Sequence, residues 1–294
     1  MPRAPPVTHA TCPARGRPNP ASDISCCSPP PCACAMRHSR PVAGLEYLPE
    51  VPTGWRAGMD DTDDLQARLA HIREKRGYLL PHHGLLATAS PALLDAYDTV
   101  YSAFALTPGQ TPRRDHEAIW IAVLTANEQP VATHHLARFQ AEGGTDEEIA
   151  ALLALTALTC GFPCWRFVQQ HWQGHLPALD VREAWLSAFS RMAAPLPRRL
   201  AQLVTVAVLI CREAWDGLAW QLVAAYQDGV PEVELAETLA LTLLPCGVPS
   251  LVEASRVWRT LILDGEVEAS GAFRAWAETA GQGGFDEASG VLNP

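Results

Sequence analysis

Two adjacent histidines, His134 and His135, follow a carboxylate, Glu117, by 17 and 18 positions in a chain of 294 residues. Imidazole and carboxyl groups are the side chains best suited to moving protons near neutral pH. Glu117 sits early in an otherwise apolar segment, "HEAIWIAVLTA". If it is buried without a partner, its pKa rises and it becomes a usable acid or base. If it faces water, it only complements a helix dipole. Pro130 fits the first position of the next helix, which puts His134 and His135 in that helix's second turn. Neighbours on a helix point about 100° apart, so at most one of the two is expected to face a given pocket. A histidine near a helix N-terminus is favoured in its neutral form, as a general base requires. The alternative is a surface histidine.

The elements that would position these groups are helical from about residue 60 onward. Apolar periodicity predicts helices at 62–75, 91–106, 112–126, 130–142, 145–160 and 164–174. Further helices are predicted at 180–193, 197–213, 215–228, 231–245, 249–263 and 271–279. Few segments alternate with period two, so the expected class is all-α. Thr145 and Glu148 form a capping box ahead of a stripe made by Ile149, Leu152, Leu153, Thr156 and Cys160. Gly161 and Pro163 stop that helix, the next begins near Cys164, and Pro231 takes a first-turn position in the second half.

A repeat underlies this series. "YSAFALTPGQTPRR" at 101–114 aligns with "LSAFSRMAAPLPRR" at 186–199, and "IAVLT" at 121–125 with "VAVLI" at 206–210. After one extra residue, "GGTDEEIAALLALTALTCGFP" at 143–163 aligns with "GVPEVELAETLALTLLPCGVP" at 229–249, with 11 of 21 positions identical. The chain is a tandem duplication of one helical unit, expected to pack as a pseudo-twofold pair. Glu117 aligns with Gln202, His135 with Gln221 and His134 with Trp220. The second copy thus loses both ionisable groups together, which points to one site kept in the first copy only.

Composition bounds the rest. Apolar residues make up 48%, enough for a sizeable core. Net charge is −10, and residues 1–40 hold five Arg against one Asp, so the remainder is near −14. An acidic body argues against nucleic acid or an anionic membrane as partner. No run of about 18 apolar residues is found, so no membrane span is expected. Residues 1–58 read as a disordered Pro- and Cys-rich leader, with Met59 as an alternative start, and residues 281–294 as a flexible tail. The units between run from 59 to 177 and from 178 to 280. Cys160, Cys164, Cys211 and Cys246 lie mostly in apolar helical patterns and read as buried thiols suited to a reducing cytoplasm. His171 and His175 have metal-ligand spacing but no evident third ligand, and His82-His83 after Pro81 reads as a loop pair.

The segment "TPRRDHEAIWIAVLTANEQPVATHHLARFQAEGGTDEEI" and the "CGFP" ending resemble the carboxymuconolactone decarboxylase family, which includes alkylhydroperoxidase D-like proteins. Arg114, Glu117, His135, Gly143 and Glu148-Ile149 match the family's positions, and "RGYLLPHHGLLA" looks like the lead-in of larger members. The resemblance implies an all-α fold with its pocket between helices and assembly into a homo-oligomer, here a trimer of pseudo-dimers. The peroxidase branch uses a Cys-x-x-Cys where this chain has Glu128 and Val131, so no disulfide cycle is available at that location. The expected activity is therefore decarboxylase-like, without metal or organic cofactor, on a small organic acid or lactone. His135 would be the acid or base, with His134 its alternate and Glu117 its orienting carboxyl. Arg114 would hold a substrate carboxylate and Trp120 would contact substrate. A thiol peroxidase and a non-catalytic oligomeric binding protein are the alternatives.

Overall fold

The computed structural model describes residues 62–107 and 109–282, and every regular element among them is helical. The leader at 1–58 and the tail beyond Gln282 lie outside the described residues. A lead-in of three helices, α1 (Thr62–Arg76), α2 (Pro81–Ala89) and α3 (Pro91–Tyr101), ends in a π-helical turn at Ser102–Leu106. The first unit continues with α4 (Arg113–Ala126), a 3₁₀ turn at Pro130–Ala132, α5 (Thr133–Ala141), α6 (Asp146–Cys160) and α7 (Phe162–Phe167). The second contains α8 (Val181–Ala193), α9 (Arg198–Cys211), α10 (Trp215–Gln227), α11 (Glu232–Leu241) and α12 (Leu243–Leu263), and α13 (Gly271–Glu278) follows.

Two helices are apolar nearly all round and occupy the centre: α4, buried from Glu117 to Leu124, and its repeat partner α9, buried from Leu200 to Ile210. They pack against each other, with α5 and α6 beside α4 and α10 and α11 beside α9. The flanking contacts cross reciprocally. Helix α6 of the first unit packs on α8 of the second, and α11 of the second packs on the π-helical turn after α3. One contiguous core therefore spans both copies, and the lead-in adds a small cluster of Ile72, Ala87 and Leu94.

Several sequence expectations are refined here. Pro81, His82 and His83 open a helix rather than forming a loop. Its N-cap, Leu80, has no capping side chain, and His83 Nδ1 instead accepts the Leu80 N–H at 3.1 Å. Leu153 is exposed, and the buried face of α6 runs through Ala151, Leu152, Leu155, Thr156 and Thr159. Helix α7 starts at Phe162 rather than near Cys164, and Pro231 is an N-cap residue. Helix α12 begins at Leu243 and crosses a break at Gly247, whose φ of 82° is a backbone conformation that glycine adopts without strain. The run Asp146–His175 is, by length and composition, apolar enough to cross a membrane, which the sequence reading had not anticipated. In this fold it is interrupted after Cys160, where α6 gives way to α7, and the buried face of α6 belongs to the core.

A chain of charges ties the copies together. The Glu148 side chain accepts from the Thr145 N–H at 2.9 Å, closing the capping box, and also pairs with Arg114. Glu234, the repeat equivalent of Glu148, pairs with Arg199, the equivalent of Arg114. Asp115 joins the two halves, pairing with Arg199 and lying 3.5 Å from Arg114. Arg114, expected to hold a substrate carboxylate, is thus committed to Glu148 and Asp115, and its counterpart in the second unit does the same structural work. Arg114→Met or Arg199→Met should each leave half-buried carboxylates unpaired and lower unfolding stability by about 1–3 kcal/mol. Denaturant midpoints check this, and unchanged midpoints in both variants would contradict the network.

Candidate functional site

Glu117 is the fifth residue of α4, on the buried side facing α5. His135 is the third residue of α5. Its Nδ1 lies 2.7 Å from Glu117 Oε2, with the carboxylate fully buried and the imidazole 3% exposed. Trp120, one turn along α4 from Glu117, stacks on the His135 ring with centroids 5.0 Å apart and planes at 18°. His134 lies against His135 at 4.0 Å and against Tyr78 at 4.9 Å.

Trp120, His134, His135 and Tyr78 border a cavity of about 780 Å³, with Glu117 behind His135 and not part of its wall. The lead-in contributes Arg76, Gly77, Tyr78, Leu80, Tyr97 and Tyr101, and the second unit contributes Leu244 and Pro245. The first unit supplies Trp120, Leu124, Gln129, Val131, Thr133, His134 and His135. The site is therefore built by three parts of the chain. Both adjacent histidines border it, against the expectation that only one would. At the start of α5 the cavity wraps around enough of the helix circumference to meet side chains 100° apart. Arg114 is not among the lining residues.

The electrostatics define the dyad. Burial works to raise the Glu117 pKa, but the hydrogen bond from His135 and the electrostatic pull of His135 and of the Arg138 charge outweigh it and hold the carboxyl below its usual range. Burial lowers the His135 pKa more than Glu117 restores it, so the imidazole is neutral at pH 7. A carboxylate can only accept, so Nδ1 carries the proton and donates to Glu117, leaving the Nε2 lone pair as a base. Burial, followed by the charges of His135 and Arg138, brings His134 down to about 4. His134 Nε2, Trp120 Nε1 and Glu117 Oε1 are buried without hydrogen-bond partners. Arg113 approaches Glu117 Oε1 only to 3.8 Å.

The lead-in was legible only as a stretch similar to that of larger family members, not as cavity wall. The signal for it was Tyr97 and Tyr101, one helical turn apart on α3. The hydroxyls of Tyr78 and Tyr101 hydrogen-bond at 2.9 Å, and the Arg76 guanidinium lies 4.2 Å from the Tyr101 ring centroid. Arg76 donates to Asp98 through Nε and Nη2, and its Nη1 lies 3.1 Å from His83 Nε2. Sequence reasoning also passed over Arg138, one turn beyond His134. Its Nη1 is buried without a partner, and its charge bears on Glu117, both histidines and Tyr101. No group of three or more His, Cys, Asp or Glu side chains is placed to hold a metal ion among the described residues. His171 and His175 lie on the π and 3₁₀ turns after α7.

The second unit keeps the geometry without the charges. Gln221 Nε2 donates to Gln202 Oε1, both side chains fully buried, and Trp185 Nε1 donates to Gln221 Oε1 at 3.2 Å. Trp220 stands where the first unit has His134. Phe162 packs edge-on against Trp220 at 5.4 Å and Trp185 at 5.1 Å, so aromatic rings fill this side of the fold.

Comparison with known proteins follows the same division. The model of the carboxymuconolactone decarboxylase family matches residues 91–168 and again residues 180–260. Nitrosuccinic acid decarboxylase npaB of Metarhizium robertsii is 32% identical over 81 residues, covering 28% of this chain and 55% of that protein. The match thus spans about half the length of that relative. No solved structure matches the chain.

The buried histidines set a pH dependence for the fold. Unfolded histidines titrate near pH 6.5, whereas His83 and His134 titrate at about 4 in the fold and His135 also below its ordinary value. Between those values the unfolded chain binds more protons, so stability is full above about pH 6.5 and is lost as pH falls toward 4. Glu117, with its lowered pKa, adds a further loss below the ordinary carboxyl range. Melting temperature should fall across this window, and His134→Gln should flatten the fall. A wild-type profile that is level from pH 7 to 4.5 would contradict the assignment.

Proposed function

From the chain's membership in the carboxymuconolactone decarboxylase family, shown by two matches that together cover more than half of it, we propose a decarboxylase-like lyase that acts on a small organic acid or lactone. One observation carries the reading: a neutral imidazole, held by a fully buried carboxylate at 2.7 Å, borders an aromatic cavity. The relative that carries a decarboxylase name supports the same reaction class.

Loss of carbon dioxide breaks a carbon–carbon bond and leaves its electron pair on the remaining fragment, which must then be protonated. His135 Nε2 is the group placed to take up and return that proton. When His135 is protonated, the Glu117 carboxylate stabilises the imidazolium across a short, dry contact. The paired Tyr78 and Tyr101 hydroxyls and the unpartnered Trp120 N–H are donors for an oxygen on which the electron pair can delocalise. With Arg76 donating to Asp98 and Arg114 tied to Glu148, the guanidiniums whose charge reaches the dyad are Arg138 and, 3.8 Å from Glu117 Oε1, Arg113. The proposal includes a homo-oligomer, expected as a trimer and read by light scattering.

The second unit supplies the variant for the test, because it already folds with glutamine at both positions. Glu117→Gln and His135→Gln, singly and together, should keep the fold and reduce turnover by about 10²–10⁴-fold. Substrates are first found by thermal shift against small carboxylates and lactones, since occupancy raises the melting temperature, and carbon dioxide release is then measured. Full turnover in the double variant would remove the dyad from the chemistry, and ligand binding with no carbon dioxide release by the wild-type chain would leave a binding protein rather than this enzyme.

A further inference from the structure

A second reactive cluster lies beside the cavity and takes no part in the proton chemistry. Cys211 ends α9, and Cys246 lies in α12 immediately before the break at Gly247. They are 35 positions apart in sequence, yet their Sγ atoms are 3.3 Å apart, and both side chains are half-buried. Asn127, the C-cap of α4, points its Nδ2 at Cys246 Sγ from 3.8 Å. The geometry points to a dithiol pair that a hydroperoxide converts to a Cys211–Cys246 disulfide, a modification site set against the cavity wall.

Three features support the pairing. A disulfide needs its sulfurs at about 2.05 Å, so the remaining gap is only about 1 Å. The backbone next to Cys246 already departs from helical geometry, with Gly247 at φ 82°, so the needed shift does not have to break a regular helix. The two thiols are also electrically unequal. The sulfur–sulfur contact with Cys211, assisted by Asn127, holds Cys246 below the ordinary thiol range despite its burial, whereas the same contact and burial push Cys211 up. One sulfur is thus the nucleophile and the other keeps its proton until the second step.

The chemistry balances in two steps. The Cys246 thiolate attacks the distal oxygen of the hydroperoxide. The oxygen–oxygen bond breaks, a sulfenic acid forms on Cys246, and the leaving alkoxide takes a proton to become an alcohol. Cys211 Sγ then attacks the Cys246 sulfur, the sulfur–oxygen bond breaks, and hydroxide leaves with the Cys211 proton as water. Two thiols are oxidised and one hydroperoxide is reduced. Leu244 and Pro245, immediately before Cys246, are part of the cavity wall, so the bond alters a segment that shapes the site. The pairing stands independently of the decarboxylase reading.

The test uses the full chain, freed of reductant, treated with a small excess of hydrogen peroxide, alkylated, digested and mapped by mass spectrometry. A dithiothreitol-reversible peptide joining Cys211 to Cys246 is expected in most chains, with Cys160 still alkylatable. Cys246→Ser should abolish that peptide and leave Cys211 free. The proposal is overturned if Cys211 and Cys246 remain alkylatable while exposed Cys164 oxidises, if either pairs with Cys160 instead, or if Cys246 stops at sulfinic acid. Because mapping the wild-type chain alone decides between these results, the test survives a variant that does not fold.

Discussion

The Glu117 carboxylate has none of its surface in water, and only a matched proton donor makes such a burial tolerable. His135 is that donor, and much of the first unit can be read as what keeps the two together. Helix α4 must be central to remove the carboxyl from solvent. Helix α5 must start at a fixed angle to α4, set by the 3₁₀ turn at Pro130–Ala132, to bring the imidazole within 2.7 Å. Trp120 then covers the ring face. In the second unit the same places hold Gln202 and Gln221, two neutral amides bonded to each other and completed by the Asp228 carboxylate and the Trp185 N–H, so that copy buries no ionisable pair there.

The cross-copy contacts explain why the duplicated chain behaves as one body. Helix α6 and its repeat counterpart α11 each lean on the other copy's leading segment, and the series Glu148, Arg114, Asp115, Arg199 and Glu234 threads through α6, α4, α9 and α11. An isolated exposed ion pair contributes little, but a partly buried series in which Asp115 serves both arginines resists the loss of any one member. This network also keeps the ends of the two central helices in register, and the position of the dyad depends on that register.

Much of this was legible in the residues. The duplication, the all-helical class and the joint loss of Glu117 and His135 in the second copy could be read from aligned segments, because packing residues recur while the ionisable pair does not. Trp120 and His135 line the cavity, and His134 lines it as well although a 100° separation on one helix had suggested only one of the two histidines would. Arg114 stands outside the cavity wall, and the repeat holds the reason: Arg114–Glu148 recurs intact as Arg199–Glu234, the mark of a structural pair. Helix α2 escaped because a histidine, not Ser, Thr, Asp or Asn, serves its N-terminus. The cavity wall from α1–α3 and from Leu244-Pro245 escaped because it depends on tertiary approach between separate segments of the chain, which no local period encodes.

The aromatic filling of the second unit bears on how the two halves tolerate substitution. Around Gln221, the rings of Phe162, Trp185 and Trp220 are constrained by volume and by one indole hydrogen bond. Many apolar combinations of similar bulk would meet that requirement. The first unit instead leaves open space beside Trp120 and the two histidines, and the second unit adds Leu244 and Pro245 to its wall. Duplication has therefore left the copies unequal: one holds a buried imidazole–carboxylate dyad beside that space, and the other closes the same places with amides and rings.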